Sequence, residues 1–77
     1  MANQLKKQSG HDVIKILANK FGFTPRKTKG SHVVLVKFLN NEKIGTVVPL
    51  HKELKFSMLK EILKQAKLTE DEFAQHQ

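Results

Sequence analysis

Cysteine is absent from this chain, which excludes a disulfide framework, a thiolate metal site and a cysteine nucleophile. The lack suits a reducing cytoplasm, the compartment expected here. No apolar run approaches the roughly 18 residues of a membrane-crossing helix, so no membrane partner is expected. Residues 1–8 hold lysines but no apolar stretch and do not read as a secretory signal. The four glycines, at 10, 22, 30 and 45, fit no phosphate-binding loop. The four histidines show no close metal-ligand spacing, and without a thiolate no zinc is expected, nor any other cofactor. Acids are also scarce: 7 Asp and Glu stand against 14 Lys and Arg, a net charge of +7.

The charge is unevenly spread. Residues 1–30 carry Lys6, Lys7, Lys15, Lys20, Arg26, Lys27 and Lys29 against Asp12 alone. Residues 57–77 carry Lys60, Lys64 and Lys67 against Glu61, Glu70, Asp71 and Glu72. A basic half beside a near-neutral one points to a polyanion, and nucleic acid is the commonest. The plain alternative is a basic, solvated surface with no ligand.

At 77 residues the chain is one domain. A chain of this size buries only about 60% of its unfolded surface, so its core must be fully used. Residues 1–8 are expected as a flexible tail and residues 9–77 as the domain. Ser9 reads as a helix N-cap with Asp12 at the third helical position. Val13, Ile14, Leu17, Ala18 and Phe21 form one helical stripe, and Gly22 ends it. Phe23 to Lys29 is a strand candidate, placed at a sheet edge because Pro25 cannot donate to a ladder. Gly30-Ser31 turns the chain into a second strand over His32 to Leu39. Asn40-Asn41-Glu42-Lys43 is a turn, since asparagine tolerates left-handed backbone. Ile44 to Pro49 is the third strand of an antiparallel meander.

Met58, Leu59, Ile62, Leu63 and Ala66 repeat the stripe of the first helix, with Ser57 as the expected N-cap. Thr69 and Glu72 form a capping box for a short, frayed last helix holding Phe73. The expected class is α+β: a double-stranded-RNA-binding-like α-β-β-β-α order. A three-stranded antiparallel sheet has two helices on one face, with a short extra C-terminal helix. In the second strand both parities are apolar: Val34, Val36 and Phe38 on one, Val33, Leu35 and Leu39 on the other. The face without helices thus carries an apolar patch, a surface for a partner, unless Lys37, Lys55 or another long stem covers it. Alternation alone does not decide which parity faces the helices.

Gly30-Ser31-His32 opens the apolar strand just after Arg26, Lys27 and Lys29. A polyanion drawn to those cations passes close to an imidazole, the side chain whose ordinary pKa suits proton transfer near neutrality. By position alone, His32 reads more readily as a half-exposed strand-start residue with no task than as a catalytic one.

Four groups of residues bear a family pattern. They are Val13-Ile14-Lys15-x-Leu17 with Gly22-Phe23, then Gly30-Ser31-His32, then Val48-Pro49-x-His51 with Glu53-Leu54, and last Leu59-x-x-Ile62-Leu63-Lys64-Gln65-Ala66. At these spacings the chain resembles the HicA toxin family over roughly residues 10 to 68. The resemblance implies a double-stranded-RNA-binding-like toxin that cleaves mRNA without a metal. It also implies neutralisation by a larger cognate protein, HicB, and a catalytic histidine at His32. Ser57 and Met58 stand where the family commonly has Gly-Thr, which loosens the match at the start of the second helix; Val33 stands where a second histidine is frequent, so His32 is expected to act here with fewer helpers. Lys27 and Lys29, with Arg26 in support, are expected to hold phosphates, and Ser31 to donate a hydrogen bond. His51 is read as bonding the loop backbone, with an auxiliary catalytic role as the alternative. His11 and His76 have no evident task. The toxin alone is expected as a monomer. Two other readings stay open: a non-catalytic module of the same fold that recognises duplex RNA by shape, and a protein-interaction subunit that uses its sheet face.

Overall fold

A computed structural model describes residues 4–77. In chain order it contains α1 (Gly10–Phe21), β1 (Thr24–Lys29), β2 (His32–Leu39), β3 (Glu42–Pro49), α2 (Phe56–Gln65) and α3 (Glu70–Ala74). The three strands form one antiparallel sheet in the order β1-β2-β3. The α+β class, the α-β-β-β-α order and the short extra helix are those expected.

Each boundary has a local cause. The Ser9 side chain accepts from the Asp12 amide at 3.1 Å and caps α1, and Gly22 closes it at φ 77°. β1 is exposed along its length and lies at the edge, as Pro25 requires. Its register shifts between Pro25 and Lys27, a bulge at Arg26. Gly30, at φ 56°, turns β1 into β2, and Ser31 stays at negative φ, the pattern of a II′ hairpin turn. Asn40 and Asn41, at φ 52° and 66°, supply the two positive angles of a I′ turn. That turn needs only two residues, so Glu42 and Lys43 belong to β3 rather than to the turn.

The core shows which side of the sheet the helices cover. Val13 and Leu17 of α1, Leu59, Ile62 and Leu63 of α2, and Phe73 of α3 form one buried cluster with Val33, Leu35, Ile44 and Val48. Val33 pairs with Val48 in the β2–β3 register, so the odd positions of β2 face the helices. Thr46, buried on that face, donates to Gln65 Oε1 at 2.8 Å. Lys37 does not cover the opposite face: its ammonium lies over the Phe23 ring, 5.7 Å from the centroid. Lys55 is the N-cap of α2, and on the opposite face Val36 is buried while Val47 and Phe38 are exposed.

Three expectations about the helices need correction. The N-cap of α2 is Lys55, without a side-chain hydrogen bond, and Ser57 is the second helical residue. The reason is Leu54: it is fully buried and its amide donates to the Gln8 carbonyl at 2.8 Å, which brings the chain into the helix earlier. Met58 is 41% exposed, because the buried stripe runs through Leu59, Ile62, Leu63 and Ala66. The last helix is not frayed. Phe73 is fully buried and stacks on Phe21, with ring centroids 6.2 Å apart, and the Thr69–Glu72 capping box is complete. The Thr69 amide, and then its hydroxyl contact, hold the Glu72 carboxyl below the usual glutamate value.

Of the tail expected over residues 1–8, residues 1–3 lie outside the described part. Leu5 packs partly buried against the core. The Lys6 amide donates to Gln77 Oε1, and Gln77 Nε2 donates to the Lys6 carbonyl, both at 2.8 Å.

Gly10 has a steric task. A Cβ there would lie 2.0 Å from the Pro49 carbonyl oxygen, while the Gly10 amide donates to the His51 carbonyl at 2.9 Å. The start of α1 is thus pressed onto the exit of β3. Gly10→Ala is expected to force that backbone apart and lower stability by about 1–3 kcal/mol. At Gly45 a Cβ meets only the Leu35 carbonyl oxygen, at 3.7 Å. Gly45→Ala is expected to be neutral or to stabilise by up to about 1 kcal/mol through a stiffer unfolded chain. Urea midpoints of the two variants read the difference; an unaffected Gly10→Ala would contradict the close approach.

Candidate functional site

His32 is the first residue of β2, just past the Gly30-Ser31 turn. Since Val33 faces the core, His32 faces the side of the sheet without helices, and it is exposed. Its cross-strand partners are Lys29 on β1 and Pro49 on β3. Residues directly opposite in an antiparallel pair hold their Cβ atoms about 4.5–5.5 Å apart, and diagonal neighbours sit at about 7–8 Å. Lys29 is directly opposite His32, and Lys27, opposite Val34, is its diagonal neighbour on the same face. Both lysines therefore sit on the face of the imidazole, one directly opposite it and one diagonal to it.

The remaining expected residues are placed differently. Arg26 is exposed at the bulge, where it has no cross-strand partner in the register. Ser31 is exposed in the turn, and its carbonyl accepts from the Leu50 amide at 2.6 Å, tying the β3 exit to the turn. His51 follows that tie and is exposed. Its backbone carbonyl, not its imidazole, bonds the rest of the fold, through Gly10. His32, Ser31, Lys29 and the His51 backbone thus share one end of the sheet. His11 lies on α1, and His76 packs edge-on against Phe21 at 5.3 Å. Among the described residues no three His, Cys, Asp or Glu side chains are grouped to hold a metal ion.

His32 stands exposed on the helix-free face of the sheet. Two surface depressions, of about 310 and 370 Å³, are lined by Lys7, Glu53, Leu54 and Lys55, and by Gln4, Leu5, Phe56, Lys60 and Glu70. Neither includes His32, Lys27 or Lys29. An exposed imidazole beside two lysines on an exposed sheet edge suits an extended, anionic polymer. Sequence reasoning did not connect His32 with Phe38 and Lys43, which share its face. The signal was the period of two from His32 through Val34 and Val36, masked by the apolar residues of the other parity.

A family model described as HicA toxin of bacterial toxin-antitoxin matches residues 10–68. The match runs from the first residue of α1 through all three strands and past the end of α2. The chain belongs to the HicA toxin family. No curated protein and no solved structure matches it. Membership in the HicA family carries a toxin role in a toxin–antitoxin pair, and with it an antitoxin partner. Residues 69–77, with the buried Phe73, lie beyond the matched span.

His32→Ala is expected to shift stability by no more than about 0.5 kcal/mol, because the side chain is exposed. Leu35→Ala, on the other parity of the same strand, is expected to cost roughly 2–5 kcal/mol. Thermal melts of both decide which parity is inside; a large loss at His32 would place the imidazole in the packing.

Proposed function

We propose that this HicA-family toxin is a metal-independent endoribonuclease that cleaves mRNA in the cytoplasm through His32, and that its antitoxin is of the HicB type. The observation that carries this reading is the exposed imidazole directly opposite Lys29, with Lys27 on the same open face. Among the described residues no helix is long and apolar enough to cross a membrane.

The chemistry needs few groups. The ribose 2′-oxygen attacks the adjacent phosphorus, forming a bond as the bond to the 5′-oxygen breaks. One proton leaves the 2′-hydroxyl and one is delivered to the departing 5′-oxygen. The products are a 2′,3′-cyclic phosphate and a free 5′-hydroxyl. His32 accepts or delivers a proton, a role worth about 10²–10⁴-fold when the group is well positioned. Lys27 and Lys29 hold the phosphate and stabilise the added charge of the phosphorane, with Arg26 in support and the Ser31 hydroxyl donating. His51, on the loop tied to Ser31 and Gly10, is an auxiliary candidate. The toxin by itself acts as a monomer. A requirement for the 2′-hydroxyl means that DNA is not cut.

The test is incubation of purified protein with mixed-sequence RNA in EDTA. Wild type is expected to leave cyclic-phosphate ends, and His32→Ala to leave the RNA intact while retaining it in a gel shift. Cleavage by His32→Ala at the wild-type rate would contradict the role of the imidazole. RNA retained but uncut by both proteins would assign the chain to a non-catalytic RNA-binding module. Lys27→Ala with Lys29→Ala is expected to flatten the slope of log affinity against log salt by about 1.4 for single-stranded RNA, two phosphate contacts' worth. An unchanged slope would place the RNA elsewhere.

A further inference from the structure

The face that presents His32 continues well beyond it. β2 sets His32, Val34, Val36 and Phe38 in one row on the side without helices, exposed at His32 and Phe38 and buried at Val36 between them. From His32 to Phe38, six steps along the strand, the row spans about 20 Å. Phe38, at its far end, is 63% exposed, and Val47, opposite Val34, is 41% exposed. Phe38 thus leaves most of an aromatic ring in water on the face that carries His32.

Charge distinguishes between possible partners. Lys29, Lys27 and Lys43 lie opposite His32, Val34 and Phe38 respectively, so cations flank the row at both ends. The one acidic residue of the three strands, Glu42, pairs with Leu39 on the other face and is bonded to Lys67. Gly45, opposite the buried Val36, adds no side chain to the middle of the strip. A polyanion with flat, apolar faces fits this pattern: cations take the phosphates, and the ring takes a base. A duplex does not offer its base faces, because they are stacked on each other.

We propose that Phe38 is a base-stacking subsite for single-stranded RNA, a few nucleotides from the bond cleaved at His32, with Lys43 holding the neighbouring phosphate. This rests on the ribonuclease reading and names the form of its substrate. Phe38 is 63% exposed and is not a member of the buried core cluster, so its replacement is expected to leave the fold intact, which a thermal melt of the variant checks.

The probe is a labelled single-stranded 2′-O-methyl oligonucleotide, whose blocked 2′-oxygen prevents cleavage, followed by fluorescence anisotropy. Phe38→Ala is expected to weaken binding roughly tenfold, while Phe38→Trp binds at least as tightly as wild type. The same strand annealed to its complement is expected to bind more weakly and to ignore Phe38→Ala. In cleavage, Phe38→Ala should lower kcat/KM for an octanucleotide about tenfold and leave that for a dinucleotide unchanged. Equal binding of the single strand by wild type and Phe38→Ala would overturn the proposal while leaving His32 chemistry standing. So would a loss confined to antitoxin binding, which would assign the strip to the protein partner. A wild type that neither binds nor cuts RNA would overturn the ribonuclease reading and this subsite with it.

Discussion

Side chains on a strand point alternately to the two faces of its sheet, and the candidate site depends on which set β2 turns inward. Val33 and Leu35 pack with α1 and α2, so His32, Val34, Val36 and Phe38 must face away. A register slip of one residue would bury the imidazole and turn the core outward. Two-residue turns at both ends of β2 guard against that slip. Gly30 supplies the positive φ at one, and Asn40 and Asn41 supply it at the other. The same constraint puts Lys27 and Lys29 beside His32 rather than behind it.

A domain of this size supports the site with contacts distant in sequence. The start of α1 closes on the exit of β3 through Gly10, at a distance only glycine allows. The Gly10 amide holds the His51 carbonyl, and the Leu50 amide holds Ser31, so the β3 exit is tied both to a helix and to the turn before His32. Farther along, Leu54 is anchored on Gln8, and the side chain of Gln77 bonds Lys6 and Gln8. The loop after β3 is thereby held at both ends, and the open face of the sheet rests on a rigid backing.

Features governed by local chemistry were legible in the sequence. Ser9 and Gly22 bound α1, Thr69 and Glu72 cap α3, Pro25 marks the edge strand, and β2 runs from His32 to Leu39. Features governed by contacts far apart in the chain were not. Ser57 has the better capping side chain, yet the burial of Leu54 starts α2 at Phe56. Phe73 sits in a short helix that would fray alone but is held by Phe21. Gly10 shows its role only against Pro49. At the site, His32 and its cations were legible as types in sequence. Their common face was not, because both parities of β2 are apolar and only the helices break the tie. The reach of that face to Phe38 and Lys43 follows from the same broken tie.

The central claim is that RNA meets this toxin on the helix-free face of its sheet. Amide chemical shifts of the protein titrated with uncleavable 2′-O-methyl RNA test it most directly. The shifts should concentrate at Lys27, Lys29, His32, Val34, Phe38 and Val47, and leave Leu17 and Leu59 of the helices still. Shifts confined to α1, α2 and the loop over residues 50–55, with the sheet unmoved, would contradict it.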